Sequence, residues 1–214
     1  MKKVALLLCA VLLLSLFAGC SKKSDTVQVM SFSEFDEKYR RADYEALLND
    51  STAFLRDLAA VNRFTSDSPE DVILGIGWSL QRDFSVDSED GSSYLHYYKK
   101  ECVLFNHSMN YEASVFHNVE RYRYTISVEY TGVDDDDTLS FAKSLYFGLI
   151  SIYGDPSEIE LDWKESAEPA LLRVLNGNDP LRSFYVTFGN DAVLSFYEYS
   201  NYVSVSVYPD SADH

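Results

Sequence analysis

The chain has 214 residues, with 34 acidic against 18 basic side chains, 46% apolar residues and 14% aromatics. That apolar share excludes a disordered acidic tail, because enough apolar surface is present to close a core. A formal net charge of −16 removes the basic face that nucleic acid requires, and three cysteines are too few for a disulfide scaffold or a four-thiolate zinc site.

Met1-Lys2-Lys3 is a short basic start, and Val4 to Ala18 is apolar except for Cys9 and Ser15. As a helix that run spans about 22 Å, short of a hydrocarbon core of roughly 30 Å. A basic start, a short apolar run and small residues at its end make a secretory signal peptide. Leu16-Phe17-Ala18-Gly19-Cys20 resembles the lipobox of bacterial lipoproteins, with Phe17 where that family prefers leucine. The resemblance implies cleavage after Gly19 and a diacylglyceryl group on the Cys20 thiol. Residues 1–19 are then the signal, and 20–30 (a polar stretch with Lys22 and Lys23) a lipidated tether. It also implies an extracytoplasmic location, with the chain held to a bacterial membrane through Cys20. Ser21 suits outer-membrane sorting, where the cell has an outer membrane. An acidic body is repelled by anionic headgroups, so the lipid does the anchoring.

Residues 31–64 read as a helical segment. Ser31 followed by Glu34 is a capping-box signal, and Phe35, Tyr39, Ala42 and Ala46 recur at helical spacing. Asn49-Asp50-Ser51 interrupts, so two helices or one bent helix are expected. A second unit runs over 70–208. Ser79 to Phe84 reads as a single helical turn, and Leu95 to Phe105 as a strand followed by a loop at Asn106 to Asn110. Tyr111 to His117 returns. In Arg121 to Tyr130 strict alternation sets Tyr122, Tyr124, Ile126, Val128 and Tyr130 against Arg121, Arg123, Thr125, Ser127 and Glu129. One wet face means an antiparallel sheet. Thr138 to Tyr153 reads as one long helix, with Asp134 to Asp137 at its positive end and Gly154 and Pro156 stopping it. Glu158 to Trp163 alternates, Leu171 to Leu175 is ambiguous, and three strands follow at Phe184–Phe188, Ala192–Tyr199 and Tyr202–Tyr208. The expected fold class is α+β: an antiparallel sheet packed by one long helix, with an N-terminal helical segment.

Gly75-Ile76-Gly77-Trp78, the aromatic strands, Tyr153-Gly154-Asp155-Pro156 and Trp163 together resemble domains of bacterial envelope lipoproteins. The resemblance implies a fold and carries no activity with it.

No residue is assigned a catalytic, cofactor-binding or metal-binding role. Consecutive aspartates at 134–137 point to alternating sides and read as a solvated helix start. Asp87-Ser88-Glu89-Asp90-Gly91 has the wrong spacing for an EF-hand, with Tyr98 where its glutamate belongs. Glu158, Glu160 and Asp162 read as the wet face of an edge strand. His96, His107, His117 and His214 lack helical zinc spacing, although His96 and His117 meet if their strands pair. With Cys9 removed and Cys20 lipidated, Cys102 is left alone and reads as a small buried hydrophobe.

Sixteen tyrosines remain. Tyr94, Tyr97, Tyr98, Tyr197, Tyr199 and Tyr202 lie in strands, on opposite faces, so some point outward. The leading expectation is a non-catalytic envelope binding module that meets a protein partner through exposed tyrosines. The alternatives are an envelope-polymer hydrolase with carboxylates assembled by the fold, or a solute- or glycan-binding lipoprotein. Replacing Cys20 by Ala is expected to release the protein from membranes into the soluble fraction. Extraction of that variant by detergent alone would sink the lipid assignment.

Overall fold

Helix formation starts at the capping box. The Ser31 hydroxyl accepts the Glu34 N–H at 3.3 Å, and the Glu34 carboxylate accepts the Ser31 N–H at 2.9 Å. The structure, a computed structural model, describes residues 29–63, 77–83, 85–88, 91–118, 121–161, 168–180, 182–198 and 200–208, with positions 117, 118 and 121–124 described by backbone alone. The signal and Cys20 lie outside these residues, as do Trp163, Tyr199 and most of the Val72–Trp78 run.

Where two helices or one bent helix are expected, the structure has three short ones: α1 (Phe32–Arg40), α2 (Tyr44–Asn49) and α3 (Thr52–Asn62). The breaks fall at aspartates whose side chains compete for backbone. Asp43 accepts the Glu45 N–H at 3.0 Å and Asp50 the Thr52 N–H at 2.9 Å, local turns that end one helix and start the next.

The described strands are β1 (Ser79–Leu80), β2 (Val86–Asp87), β3 (Tyr94–Leu104), β4 (His107–Asn118), β5 (Arg121–Thr131), β6 (Glu158–Leu161), β7 (Phe184–Phe188), β8 (Ala192–Tyr197) and β9 (Tyr202–Val207). They form one nine-stranded sheet in the order β1-β3-β4-β5-β9-β8-β7-β6, with β2 also paired to β3, and every pair is antiparallel. The fold is mixed α+β and dominated by strands.

Two local expectations give way to tertiary contacts. Ser79–Leu80 is a strand paired with Lys99 and Tyr98 instead of a helical turn. The Asn106–Asn110 loop is absent as well. Phe105 and Asn106 alone make the turn, at φ 53° and 59°, and β4 begins at His107. Two consecutive positive φ values are the geometry of a tight hairpin turn, which phenylalanine disfavours on its own. The core holds it there. Phe105 is buried against Tyr39 and Phe54, and the turn donates Phe105 N–H to Tyr39 O at 2.7 Å and Asn106 N–H to Arg40 O at 3.2 Å. The end of α1 thereby gains donors for two of its orphan carbonyls.

The long helix α4 (Asp135–Tyr153) starts three residues before the expected Thr138, because Asp134 caps it by accepting the Asp137 N–H at 2.9 Å. At the other end Gly154 takes φ 81°, open to glycine at little cost. The ambiguous Leu171–Leu175 segment is the end of helix α5 (Glu168–Leu175). The sheet is therefore backed by more than one long helix: α1 lies on β3, α3 on β5 and β9, α4 on β8 and β9, and α5 on β6. At Gly148 α4 and α3 approach so closely that an added Cβ would sit 2.1 Å from the Ser51 hydroxyl. That hydroxyl donates to Ser144 O at 2.8 Å, and the Ser144 hydroxyl donates to Leu47 O at 2.6 Å.

The helices cover one face. Ile126, Val128 and Tyr130 of β5, Val203, Val205 and Val207 of β9, and Leu194 and Phe196 of β8 join Leu55, Leu58, Phe141, Leu145 and Leu149 in one buried cluster. At the β5–β9 junction, where two meanders meet, the backbone ladder runs from Thr131↔Tyr202 to Ser127↔Ser206. At the next position the Asn62 carboxamide stands between the strands. It accepts the Ile126 N–H at 2.7 Å and donates to Ile126 O at 3.0 Å and to Val207 O. Asn62 is buried, so Asn62→Leu strands three backbone groups without water. A loss of about 3 kcal/mol is expected, at one to three per orphaned group with partial relaxation. Urea unfolding checks this, and a loss within error of zero would show that the carboxamide is dispensable.

Candidate functional site

Strand alternation that sends Val203, Val205 and Val207 inward sends Tyr202, Ser204 and Ser206 to the opposite face, where no helix among the described residues packs. Register builds the rest of that face. Glu129 lies beside Ser204, then Ser195, Tyr185 and Glu160, while Lys99 lies beside Glu112, then Ser127, Ser206, Val193, Thr187 and Glu158. Tyr197 pairs with Tyr202, their rings 5.0 Å apart.

A charge cluster sits in the middle. Glu129, assigned to the wet row by alternation, is only 6% exposed, so that row is corrected here. It survives burial because Lys99 Nζ donates to its carboxylate at 2.7 Å. Glu112 is across the strand from Lys99 and diagonal to Glu129. Burial first, then the Glu129 charge and a hydrogen bond shared with it, pushes the Glu112 carboxyl up to about 7, with Lys99 opposing. The same burial and the charges of Glu129, Tyr197 and Glu112 push Tyr202 up to about 12. Tyr185 is raised by burial and by Tyr208, Tyr197, Glu160 and Glu158, so tyrosines and acids form one continuous field across β6 to β9.

Of the tyrosines singled out from sequence, Tyr197 is 43% exposed and Tyr202 half-buried, both on this outer face. Tyr98 is in the core, and Tyr94 stacks on His96 at 4.2 Å. Tyr185, 38% exposed, was not singled out, although its place in Phe184–Phe188 carried the signal: one tyrosine between buried Phe184 and Val186. Glu112, Glu129 and Lys99 carried none, because they meet only through register.

The other sequence candidates fall elsewhere. Asp134, Asp135 and Asp136 are exposed, whereas Asp137 turns back and accepts Tyr44 OH at 3.0 Å, Tyr130 OH, and Val133 N–H at 3.1 Å. It is a structural acceptor, contrary to a fully solvated run. Glu158 and Glu160 are exposed on edge strand β6. His96 bonds Asp87 at 2.8 Å and His107 bonds Phe105 O at 2.8 Å. The thiol of Cys102, packed against the core, is pushed up to about 12 by burial and by Asp36, so it stays protonated at neutral pH. Among the described residues no group of three or more His, Cys, Asp or Glu is arranged to hold a metal ion.

The helical side has shallow hollows. One of about 610 Å³ lies between α3 and α4, lined by Arg56, Lys143 and the exposed Phe147. Others of about 650 Å³ open beside Lys100 and beside Tyr44 and His107. Of the carboxylates lining them, Asp50, Asp36 and Asp137 are committed, respectively, to Thr52, to Arg40 and Tyr111, and to the two tyrosines above, while Glu37, Asp43 and Glu45 line the same hollows.

No family model, curated protein or solved structure matches the chain. No helix among the described residues is long and apolar enough to cross a membrane.

Between its ordinary 4.5 and about 7, the folded Glu112 holds a proton that the unfolded chain has released. The resulting stability is full below about pH 4.5 and is lost as pH rises through about 7. Thermal midpoints of parent and Glu112→Gln are therefore expected to diverge over that window, the parent falling more steeply toward high pH. Parallel curves would refute the raised carboxyl.

Proposed function

We propose that this chain is a lipid-anchored protein of a bacterial cell envelope and acts as a non-catalytic binding module through its outer sheet face. In this reading Cys20 carries the lipid, residues 20–30 are the tether, and 31–64 with 70–208 make the body. The Thr138–Tyr153 part of α4 and the N-terminal helical segment then brace the inner face of the sheet and leave the outer one to be presented. The observation that carries the reading is the array of Tyr185, Tyr197 and Tyr202 on the face opposite the helices. Tyrosine presents a rigid apolar ring and a polar tip, which suits a contact surface that must also be wet. Catalysis has less support, since three of the carboxylates lining the hollows, Asp36, Asp50 and Asp137, are occupied as acceptors and the Cys102 thiol is protonated.

The test is in-cell crosslinking with a photoreactive residue at Tyr185, at Tyr197 or, on the helical side, at Phe147. Discrete protein adducts from the two sheet positions and none from Phe147 are expected. Adducts from Phe147 alone, or from none of the three, would overturn the reading.

A further inference from the structure

Resting on that reading, we propose that the outer sheet face takes a basic peptide segment of a partner protein, seating a Lys or Arg cation against Glu112 and Glu129 beside the Tyr197–Tyr202 pair.

Charge complementarity commits the face to this occupant. Glu101, Glu112, Glu129, Glu158 and Glu160 lie on it, with Glu198 exposed in the adjoining turn. Lys99, in the same rows, already gives its ammonium to Glu129. Arg121 and Arg123 hold register positions on the same face at the far end of β5, opposite Asn118 and Phe116, so the acids gather at the other end, from Glu101 and Glu112 across Glu129 to Glu158 and Glu160. There carboxylates are interleaved with aromatic rings, and a cation meeting them gains both charge pairing and the ring faces. Anionic lipid and nucleic acid are repelled by a chain of net charge −16.

The Glu112 carboxyl adds a dependence on pH. The groups facing it are Lys99 and Glu101 from β3, Glu129 from β5 and Tyr202 from β9. With Glu112 raised to about 7, proton and cation compete for one place. Affinity therefore rises as pH increases through that value, and a bound cation draws the proton off.

The experiment uses the full chain in phosphatidylcholine nanodiscs and two fluorescein-labelled heptapeptides, one alternating Lys and Thr, the other Glu and Thr. Anisotropy is expected to show binding of the Lys peptide alone, tightening severalfold from about pH 6 to about pH 8. Glu112→Gln with Glu160→Gln, checked for folding by circular dichroism, is expected to weaken it about tenfold. Asp135→Asn with Asp136→Asn, equal in charge removed but at the start of α4, is expected to leave it unchanged. Equal binding of both peptides, no binding, or equal loss in the two double variants would overturn the proposal. Crosslinks at Tyr185 and Tyr197 separate the two failures. Protein adducts there without a response to Glu112→Gln with Glu160→Gln would leave the binding module standing and remove its basic partner. Adducts to a second copy of this chain would overturn the basic partner too, and absence of adducts would remove both.

Discussion

The fold depends on one carboxamide. Asn62, the last residue of α3, replaces the missing rung between β5 and β9 by accepting the Ile126 N–H and donating to the carbonyls of Ile126 and Val207. Among the described residues no other strand pair joins the β3–β5 meander to the β6–β9 meander. A buried unpaired backbone group is costly, so the junction tolerates an opening only where a side chain fills the role of both strands. The same contact sets α3 against the sheet, and with it the side on which helices lie. Everything opposite, including the tyrosine and glutamate rows, is outer face as a consequence.

The excess of tyrosine and of acid has a shared use inside the protein. Tyr39 donates to Asp57 at 2.6 Å, Tyr111 to Asp36 at 3.1 Å, Tyr146 to Glu168 at 3.1 Å, and Tyr44 and Tyr130 both to Asp137. Each hydroxyl is raised, chiefly by burial, so it stays a donor at any ordinary pH. A buried ring keeps its apolar area while a carboxylate at the margin of the core satisfies the tip. Four of the 34 acids, Asp36, Asp57, Asp137 and Glu168, are thereby structural. Among the acids outside these pairs are those of the outer face, where Tyr185 and Tyr197 are exposed.

The two faces of the sheet differ in how they handle charge. On the helical side, Lys38 and Tyr39 of α1 both donate to Asp57 of α3, two donors on one carboxylate. Outside, one ammonium serves two glutamates, since Lys99 reaches Glu129 and leaves Glu112 beside it. Two carboxylates with one cation hold a proton more easily than either alone. That imbalance is what a further cation would relieve.

Alternation and capping were legible because both are local. Val203, Val205 and Val207 announce a buried row, Ser31 with Glu34 announces a helix start, and Gly154 announces a stop. The resemblance of Leu16 to Cys20 to a lipobox, on which the proposed anchor rests, is also carried by contiguous residues. The β3–β4 turn was illegible because Phe105 accepts a left-handed backbone only when Tyr39, Phe54 and the end of α1 surround it. Glu112, Glu129 and Lys99 sit on three different strands, and Tyr185 and Tyr202 on two more. Their proximity is a matter of register, which depends on which residues of distant segments pair. Sequence by itself therefore determined the apolar strand rows, the helix start at Ser31, the break at Asn49-Asp50-Ser51 and the helix stop at Gly154. Tertiary structure alone decided which carboxylates share a proton and which tyrosines face outward, because those interactions act through space between segments far apart in the chain.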